Sequence, residues 1–187
     1  MKNIKPFNFE KQKDFDNHIN LSIPNYSGLD QVFSHIAKEF SQPGSTTVDL
    51  GCSTGRFLHN LLKIDDCEYV GIDKVDIKSF DGFTHIIGDC DDELKKLTDV
   101  GVIISMFFLQ FLGNKERKKI IQTIKKHIDG GAILLVAEKV YINDTRIQTL
   151  LHRMHVQAKR ENFSDKEILD KDNQLSISMF CKTESEL

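Results

Sequence analysis

Thr46-Thr47-Val48-Asp49-Leu50 is a short β-branched run that ends directly on Gly51-Cys52-Ser53-Thr54-Gly55, and Arg56 to Leu62 then starts a helix. A strand that stops on a glycine-bounded turn and feeds a helix with no linker is the repeating unit of an α/β layer. The two glycines let the backbone reverse sharply, and they let a ligand approach with no Cβ in the way.

The rest of the chain continues this alternation. Ser27 to Phe40 carries Leu29, Val32, Phe33, Ile36, Ala37 and Phe40 at helical spacing, and Ser41-Gln42-Pro43-Gly44-Ser45 breaks it. Glu68 to Asp73 reads as a second strand and Thr84 to Asp89 as a third, each ending on an acid. Asp91 to Leu97 reads as a short helix with an acidic start. Val100 to Phe108 is a nearly continuous apolar run, as expected of a central strand covered on both faces. Lys115 to Ile128 reads as an amphipathic helix with Ile120, Ile121, Ile124 and Ile128 on one side, stopped by Asp129-Gly130-Gly131. Ala132 to Ala137 reads as a fifth, buried strand. Asn143 to Asn162 reads as a long helix with a basic face, and Ser164-Asp165-Lys166-Glu167 as the cap and first turn of another. The pattern predicts a Rossmann-like α/β fold: a mainly parallel sheet, helices on both faces, right-handed crossovers and a reduced C-terminal end. Residues 1–20 are expected to be a partly loose N-terminal extension, and 21–187 a single domain.

Composition narrows the function classes. The 187 residues carry a formal net charge of −3, so no global positive field draws the chain to nucleic acid or a membrane, although a local basic patch would. No apolar run approaches the roughly 20 residues needed to cross a bilayer, and the N-terminus lacks a signal-peptide core. The four cysteines form no C-x-x-C pair and no ligand-spaced cluster, which points to free thiols in a reducing cytoplasm.

Three acids fall at three successive strand ends: Asp49, Asp73 and Asp89. In a doubly wound sheet, ligands bind beyond the C-terminal ends of the strands. Asp73, about 20 residues after the turn, stands where a carboxylate accepts both hydroxyls of an adenosine ribose. Asp89 is placed to accept from the adenine amino group, with the Cys90 backbone beside it. The turn is not G-x-G-x-x-G and no Gly-Lys-Ser/Thr follows, so dinucleotide and phosphate sites fit less well.

The segment Val48-Asp49-Leu50-Gly51-Cys52-Ser53-Thr54-Gly55 resembles the first motif of class I S-adenosylmethionine-dependent methyltransferases. A closer resemblance runs from about Phe15 to about Leu175. It is carried in order by Phe15-Asp16, Ile23-Pro24-Asn25-Tyr26-Ser27, Leu109-Gln110-Phe111-Leu112, Glu116-Arg117, Gly130-Gly131-Ala132, Glu138-Lys139, Met154-His155 and Lys159-Arg160. Together these are similar to the carboxy-S-adenosylmethionine synthase family, which acts in wobble-uridine modification of transfer RNA. The resemblance implies S-adenosylmethionine, or its carboxylated form, as the bound molecule. It puts Tyr26 against the methionine end or the sulfonium, and Gly51, Cys52 and Ser53 along the methionine portion, with Gly55 also in the cofactor-binding turn. Asp73 and Lys74 would hold the ribose region, and Asp89 and Cys90 the adenine. Met106 stands at the cofactor site where the family carries an asparagine. Near Asp172 the family carries an arginine that grips the extra carboxylate. The run here is Asp170-Lys171-Asp172-Asn173, which leaves Lys171 as the nearest point charge. The link from Lys74 to Phe83 is short where the family carries a helix.

Catalytic candidates are Tyr26, Glu138 at the end of the fifth strand as a base, and His155. Phe107, Phe108 and Phe111 are expected in the core or the cleft wall, with the Gln110 amide pointing into the site. His152 and His155 are three apart with no H-E-x-x-H arrangement, so no metal is expected. Three functions remain open at this point. The first is group transfer from S-adenosylmethionine to an unknown acceptor, a reaction that needs alignment more than acid–base help. The second is carboxy-S-adenosylmethionine synthesis with prephenate as carboxyl donor. The third is a non-catalytic relative of the fold that binds a partner, or binds and sequesters the nucleoside. The expected partners are a small molecule and a second copy in a homodimer, with transfer RNA reached only indirectly and no membrane.

Overall fold

The computed structural model describes residues 15–78 and 80–186. Part of the expected loose extension, residues 1–14, lies outside that range, and Phe15–Ser22 is helix α1. The chain divides into two compact units, Ser27–Ala137, and Met1–Tyr26 with Glu138–Leu187.

The first unit holds a five-stranded parallel sheet in the order β3-β2-β1-β4-β5. The strands are β1 (Thr46–Leu50), β2 (Glu68–Asp73), β3 (Thr84–Ile87), β4 (Val100–Met106) and β5 (Ile133–Ala137). The order reverses between β1 and β4, and a crevice opens beyond the strand ends at such a switch point. Helix α2 (Tyr26–Phe40), of which the unit takes all but Tyr26, and α3 (Arg56–Asn60) cover one face. There Phe33, Ala37, Phe57, Leu58 and Leu61 pack on Tyr69, Val102 and Ile104. On the other face α4 (Cys90–Leu94) and α5 (Asn114–Asp129) bring Cys90, Leu94, Ile120 and Ile124 onto Val48, Leu50, Val70, Ile72 and Ile103. Alternate residues of each strand serve opposite faces, which is why these runs read as continuously apolar.

Three expectations are corrected. Strand β5 is at the sheet edge and only partly buried, with Val136 46% exposed, because one of its sides has no neighbouring strand. On α5 the buried stripe is Arg117, Ile120, Thr123 and Ile124, while Ile121 and Ile128 stand exposed on the next stripe round the helix. Helix α3 stops at Asn60, two residues short of Leu62. Among the described residues the β2–β3 link has no helix, as expected from its length. Its aromatic rings take over that role. Phe83 packs into the α2/α3 core, and Phe80 lies 5.1 Å from His59 of α3.

The second unit contains α1, α6 (Thr145–Lys159), α7 (Asp165–Ser176) and a two-residue parallel pair, β6 (Val140–Tyr141) with β7 (Lys182–Thr183). Asp144 caps α6 by accepting from Arg146 and Ile147. Ser164 and Glu167 form the expected capping box of α7. The basic face expected over 143–162 is not simply solvated. Lys159 is buried at 6% exposure and His155 half-buried, whereas Ile147, Leu150, Leu151 and Met154 are exposed. No described helix is long and apolar enough to cross a membrane.

Candidate functional site

Strand β1 is fully buried and delivers Asp49 to the sheet centre at 4% exposure. Burial pushes its carboxyl well above the usual range, Asp73 and Asp30 push the same way, and Arg56 pulls back. The turn then reverses with Gly51 at φ 72, Ser53 at φ 52 and Gly55 at φ 81, all left-handed. Gly51 N and Cys52 N donate to Ile72 O at 2.8 and 3.2 Å, and Ser53 N donates to Asp73 Oδ2 at 2.9 Å. The turn is thus bound to the end of β2. Asp73 Oδ1 accepts from Val75 N at 3.0 Å.

The glycines also make room for aromatic packing. A Cβ on Gly51 would lie 2.5 Å from Phe108 Cδ2, and one on Gly55 would lie 2.1 Å from Phe83 Cζ. On the side where a Cβ would stand, each of these glycines is met by an aromatic ring.

Asp89 ends the third acidic position as the N-cap of α4, its Oδ1 accepting from Asp91 N and Asp92 N. Its other oxygen meets Lys74 Nζ at 2.8 Å, which holds the Asp89 carboxyl below its ordinary range and raises Lys74. Oxygens of Asp89, Asp91 and Asp92 lie within 4.8 Å of one another. All three already face cations, Asp89 through Lys74, and Asp91 and Asp92 through Lys95. A cavity of about 100 Å³ lies beside them, lined by Lys74, Asp89, Cys90, Phe108, Leu112 and Glu116 among others. Cys90 Sγ donates to Ile72 O at 3.5 Å, and burial pushes its thiol up to about 12. Burial also raises the Cys52 thiol, so neither is a nucleophile near neutral pH.

The structure therefore brings Gly51, Cys52, Ser53, Gly55, Asp73, Lys74, Asp89, Cys90 and Met106 together in one unit, around the ends of β1 to β4. Tyr26, Glu138 and His155 belong to the other unit. Gln110, expected to face the site, is buried at 5% exposure. Inside the second unit, His155 keeps company with Lys159, Lys139, Asp172 and His152. Its imidazole is lowered to about 4, by burial first and then by the neighbouring lysines. Lys159 Nζ meets Asp172 Oδ1 at 3.4 Å. Lys171 Nζ lies against His18 Nε2 and donates to Ser22 Oγ at 3.0 Å. Burial lowers the Lys171 ammonium to about 8, helped by Lys159.

Sequence reasoning missed two buried hydroxyls. Ser53 Oγ in the turn and Ser105 Oγ on β4 have no hydrogen-bond partner among the described residues. The cost of such an orphan is on the order of 1–3 kcal/mol, so a polar ligand group beside Ser53 would relieve it. Ser105 carried one signal, a hydroxyl inside the apolar run Val100 to Phe108.

No protein-family model matches the chain. The solved plantazolicin methyltransferase BpumL, in complex with a pentazolic desmethylPZN analog and SAH, aligns over 95% of this chain and 68% of its own. The TM-score is 0.56 at 16% identity, which makes the fold that of the Rossmann-like methyltransferases. The carboxy-S-adenosyl-L-methionine synthase of Shigella boydii serotype 4 is 30% identical over 88% of this chain and 72% of that protein. The enzyme of the same name from Idiomarina loihiensis is 33% identical over 185 residues, 90% of this chain and 76% of that protein. A strand–turn–helix site tied to three strand-end acids, with this identity across both chains, establishes that the chain belongs to the carboxy-S-adenosyl-L-methionine synthase family.

Proposed function

We propose that the protein binds S-adenosylmethionine at the C-terminal edge of β1, β2 and β3 and carries out group transfer at its sulfonium. The observation that carries this reading is the 33% identity to a named synthase across 90% of the chain. The buried, unpartnered Ser53 hydroxyl beside the Ser53–Asp73 bond supports it, because that is the residue whose polar atom needs a ligand group. Gly51, Cys52, Ser53 and Gly55 would hold the methionine portion and Asp73 with Lys74 the ribose. Asp89 and Cys90 would hold the adenine in the cavity they line, while Met106, at the end of β4, packs with the α2/α3 cluster and would meet the ligand only from that side. The sulfonium supplies an already activated methyl group, so the chain's task is to orient and enclose it.

The specific reaction we assign is carboxy-S-adenosylmethionine synthesis with prephenate as carboxyl donor. Tyr26, Glu138 and His155, all in the second unit, are the catalytic candidates of this reading. The His155 imidazole, lowered to about 4 by burial and the neighbouring lysines, is uncharged but only weakly basic near neutral pH, which suits it to hydrogen bonding more than to proton abstraction. Methyl transfer to a separate acceptor is the second reading, and one observation favours it. Asp172 spends its charge on Lys159 and offers no cation to an extra carboxylate. The family reading also carries a homodimer, a cytoplasmic location and an indirect link to transfer RNA through use of the product.

Mass spectrometry of ligand retained by the purified protein tests the assignment. Carboxy-S-adenosylmethionine, formed again on incubation with S-adenosylmethionine and prephenate, is the expected result. Retention of unmodified S-adenosylmethionine with no turnover of prephenate would select methyl transfer. If neither S-adenosylmethionine nor S-adenosylhomocysteine binds at millimolar concentration in calorimetry, both readings fail.

A further inference from the structure

Of the three strand-end acids, two have structural duties. Asp73 accepts from Ser53 N and Val75 N, and Asp89 caps α4 and pairs with Lys74. Asp49 has no such duty. It is 4% exposed, and among the described residues no hydrogen-bond donor reaches its carboxyl. A carboxyl buried without a donor is costly and calls for a partner.

Val48 and Leu50 pack in the α4/α5 core, so Asp49 between them projects to the α2/α3 face. There Asp30 of α2, Arg56 at the first residue of α3 and Asp73 at the end of β2 all stand close enough to act on it. The guanidinium is engaged with Asp30 at 2.5 Å. The other neighbours carry no charge. Gly71 of β2 and Ile104 of β4 are the strand partners of Asp49, and burial keeps the Cys52 and Cys90 thiols protonated. With every carboxyl ionised, three acids would face one guanidinium in a site that excludes water. Burial first, then Asp73 and Asp30, hold the Asp49 carboxyl well above its usual range, so without a further cation beside it the carboxyl keeps its proton.

We propose that Asp49 is the specificity-determining residue of the ligand site, the carboxylate that offsets the sulfonium of S-adenosylmethionine and so separates that ligand from the uncharged thioether S-adenosylhomocysteine. The inference rests on the S-adenosylmethionine reading above and adds to it the group that reads charge. As the sulfonium enters, the O–H bond of Asp49 breaks, the electron pair stays on the carboxylate and the proton leaves to solvent. One positive charge arrives and one departs, and nothing is oxidised or reduced. The thioether brings no charge, so with it Asp49 keeps its proton. Proton and ligand affinities are linked reciprocally. S-adenosylmethionine should therefore bind up to about tenfold tighter per pH unit gained, wherever Asp49 is protonated in the free protein and ionised in the complex.

The test is calorimetry on the full chain in two buffers of different ionisation heat, which counts the protons released on binding. The wild type is expected to release about one proton more with S-adenosylmethionine than with S-adenosylhomocysteine. Asp49→Asn keeps the shape and removes the titration. It should abolish the release assigned to Asp49 and weaken S-adenosylmethionine about tenfold, while S-adenosylhomocysteine changes little. The ligand's own amine titrates alike in both proteins and cancels in the comparison. Equal proton counts for wild type and variant overturn the inference and leave S-adenosylmethionine binding standing. Binding of neither ligand to the wild type overturns the S-adenosylmethionine reading itself, and this inference with it. If circular dichroism shows the variant unfolded, infrared difference spectra of the wild type decide. A protonated-carboxyl stretch should vanish on binding S-adenosylmethionine and persist with S-adenosylhomocysteine, and a band unaffected by either ligand would sink the proposal.

Discussion

Ser53 and Asp73, 20 residues apart in sequence, meet through a backbone N–H donated to Oδ2 at 2.9 Å. This bond couples the shape of the turn after β1 to the carboxylate at the end of β2. Replacing Asp73 with alanine removes the acceptors of both Ser53 N and Val75 N. We expect S-adenosylmethionine affinity to fall by about 1–3 kcal/mol, with a comparable loss of stability. Calorimetry and urea unfolding measure the two. Unchanged affinity would remove Asp73 from the binding site and leave it only the turn.

Gly51 and Phe108 form a second coupled pair. An alanine at position 51 would place its Cβ 2.5 Å from the ring and hold a side chain at φ 72. The backbone strain alone costs about 1–3 kcal/mol, and the clash adds to it. In a Phe108→Ala background the clash vanishes and the strain remains. Gly51→Ala should therefore cost less there than in the wild type, a double-mutant coupling readable from urea midpoints. Equal costs in the two backgrounds would show that the ring does not set the requirement for glycine.

Lys159, its side chain only 7% exposed, is neutralised by Asp172 at 3.4 Å. Asp172→Ala leaves a buried ammonium without its carboxylate and is expected to destabilise by about 1–3 kcal/mol. Lys159→Met in the same background should recover part of that loss by removing the charge. Failure of methionine to recover anything would mean that Asp172 acts through other contacts.

The pH dependence follows from His155. Its imidazole is lowered from 6.5 to about 4, so between those values the unfolded chain binds a proton that the folded chain does not. Its contribution is fully present above pH 6.5 and is lost as pH falls towards 4. Melting temperature should drop over that window, and His155→Gln should flatten the drop. An identical profile for wild type and variant would assign the acid sensitivity to other groups.

Much of the architecture was legible because period and punctuation agree locally. Thr46–Leu50 and Glu68–Asp73 end where the sequence pattern ends, and Ser164 with Glu167 caps α7 through atoms three residues apart. The errors share one cause. Edge position left β5 half-open, and the angle at which α5 meets the sheet decided that Ile124 is buried and Ile121 is not. The two-residue strands β6 and β7 pair across about forty residues and carry no periodic signal of their own.

The sequence by itself determined the strand–turn–helix at Gly51, the acids at three strand ends and the family, since these depend on neighbours in the chain and on residue identity. Only the tertiary structure decided which side chains a Cβ at the glycines would strike, Phe108 at Gly51 and Phe83 at Gly55, both from other segments. It also decided that Asp89 spends one oxygen on a helix cap and the other on Lys74. It decided, too, that α6 buries a lysine while its leucines face water. A side chain's composition fixes what it can bond, but the backbone paths of other segments determine which partner reaches it first.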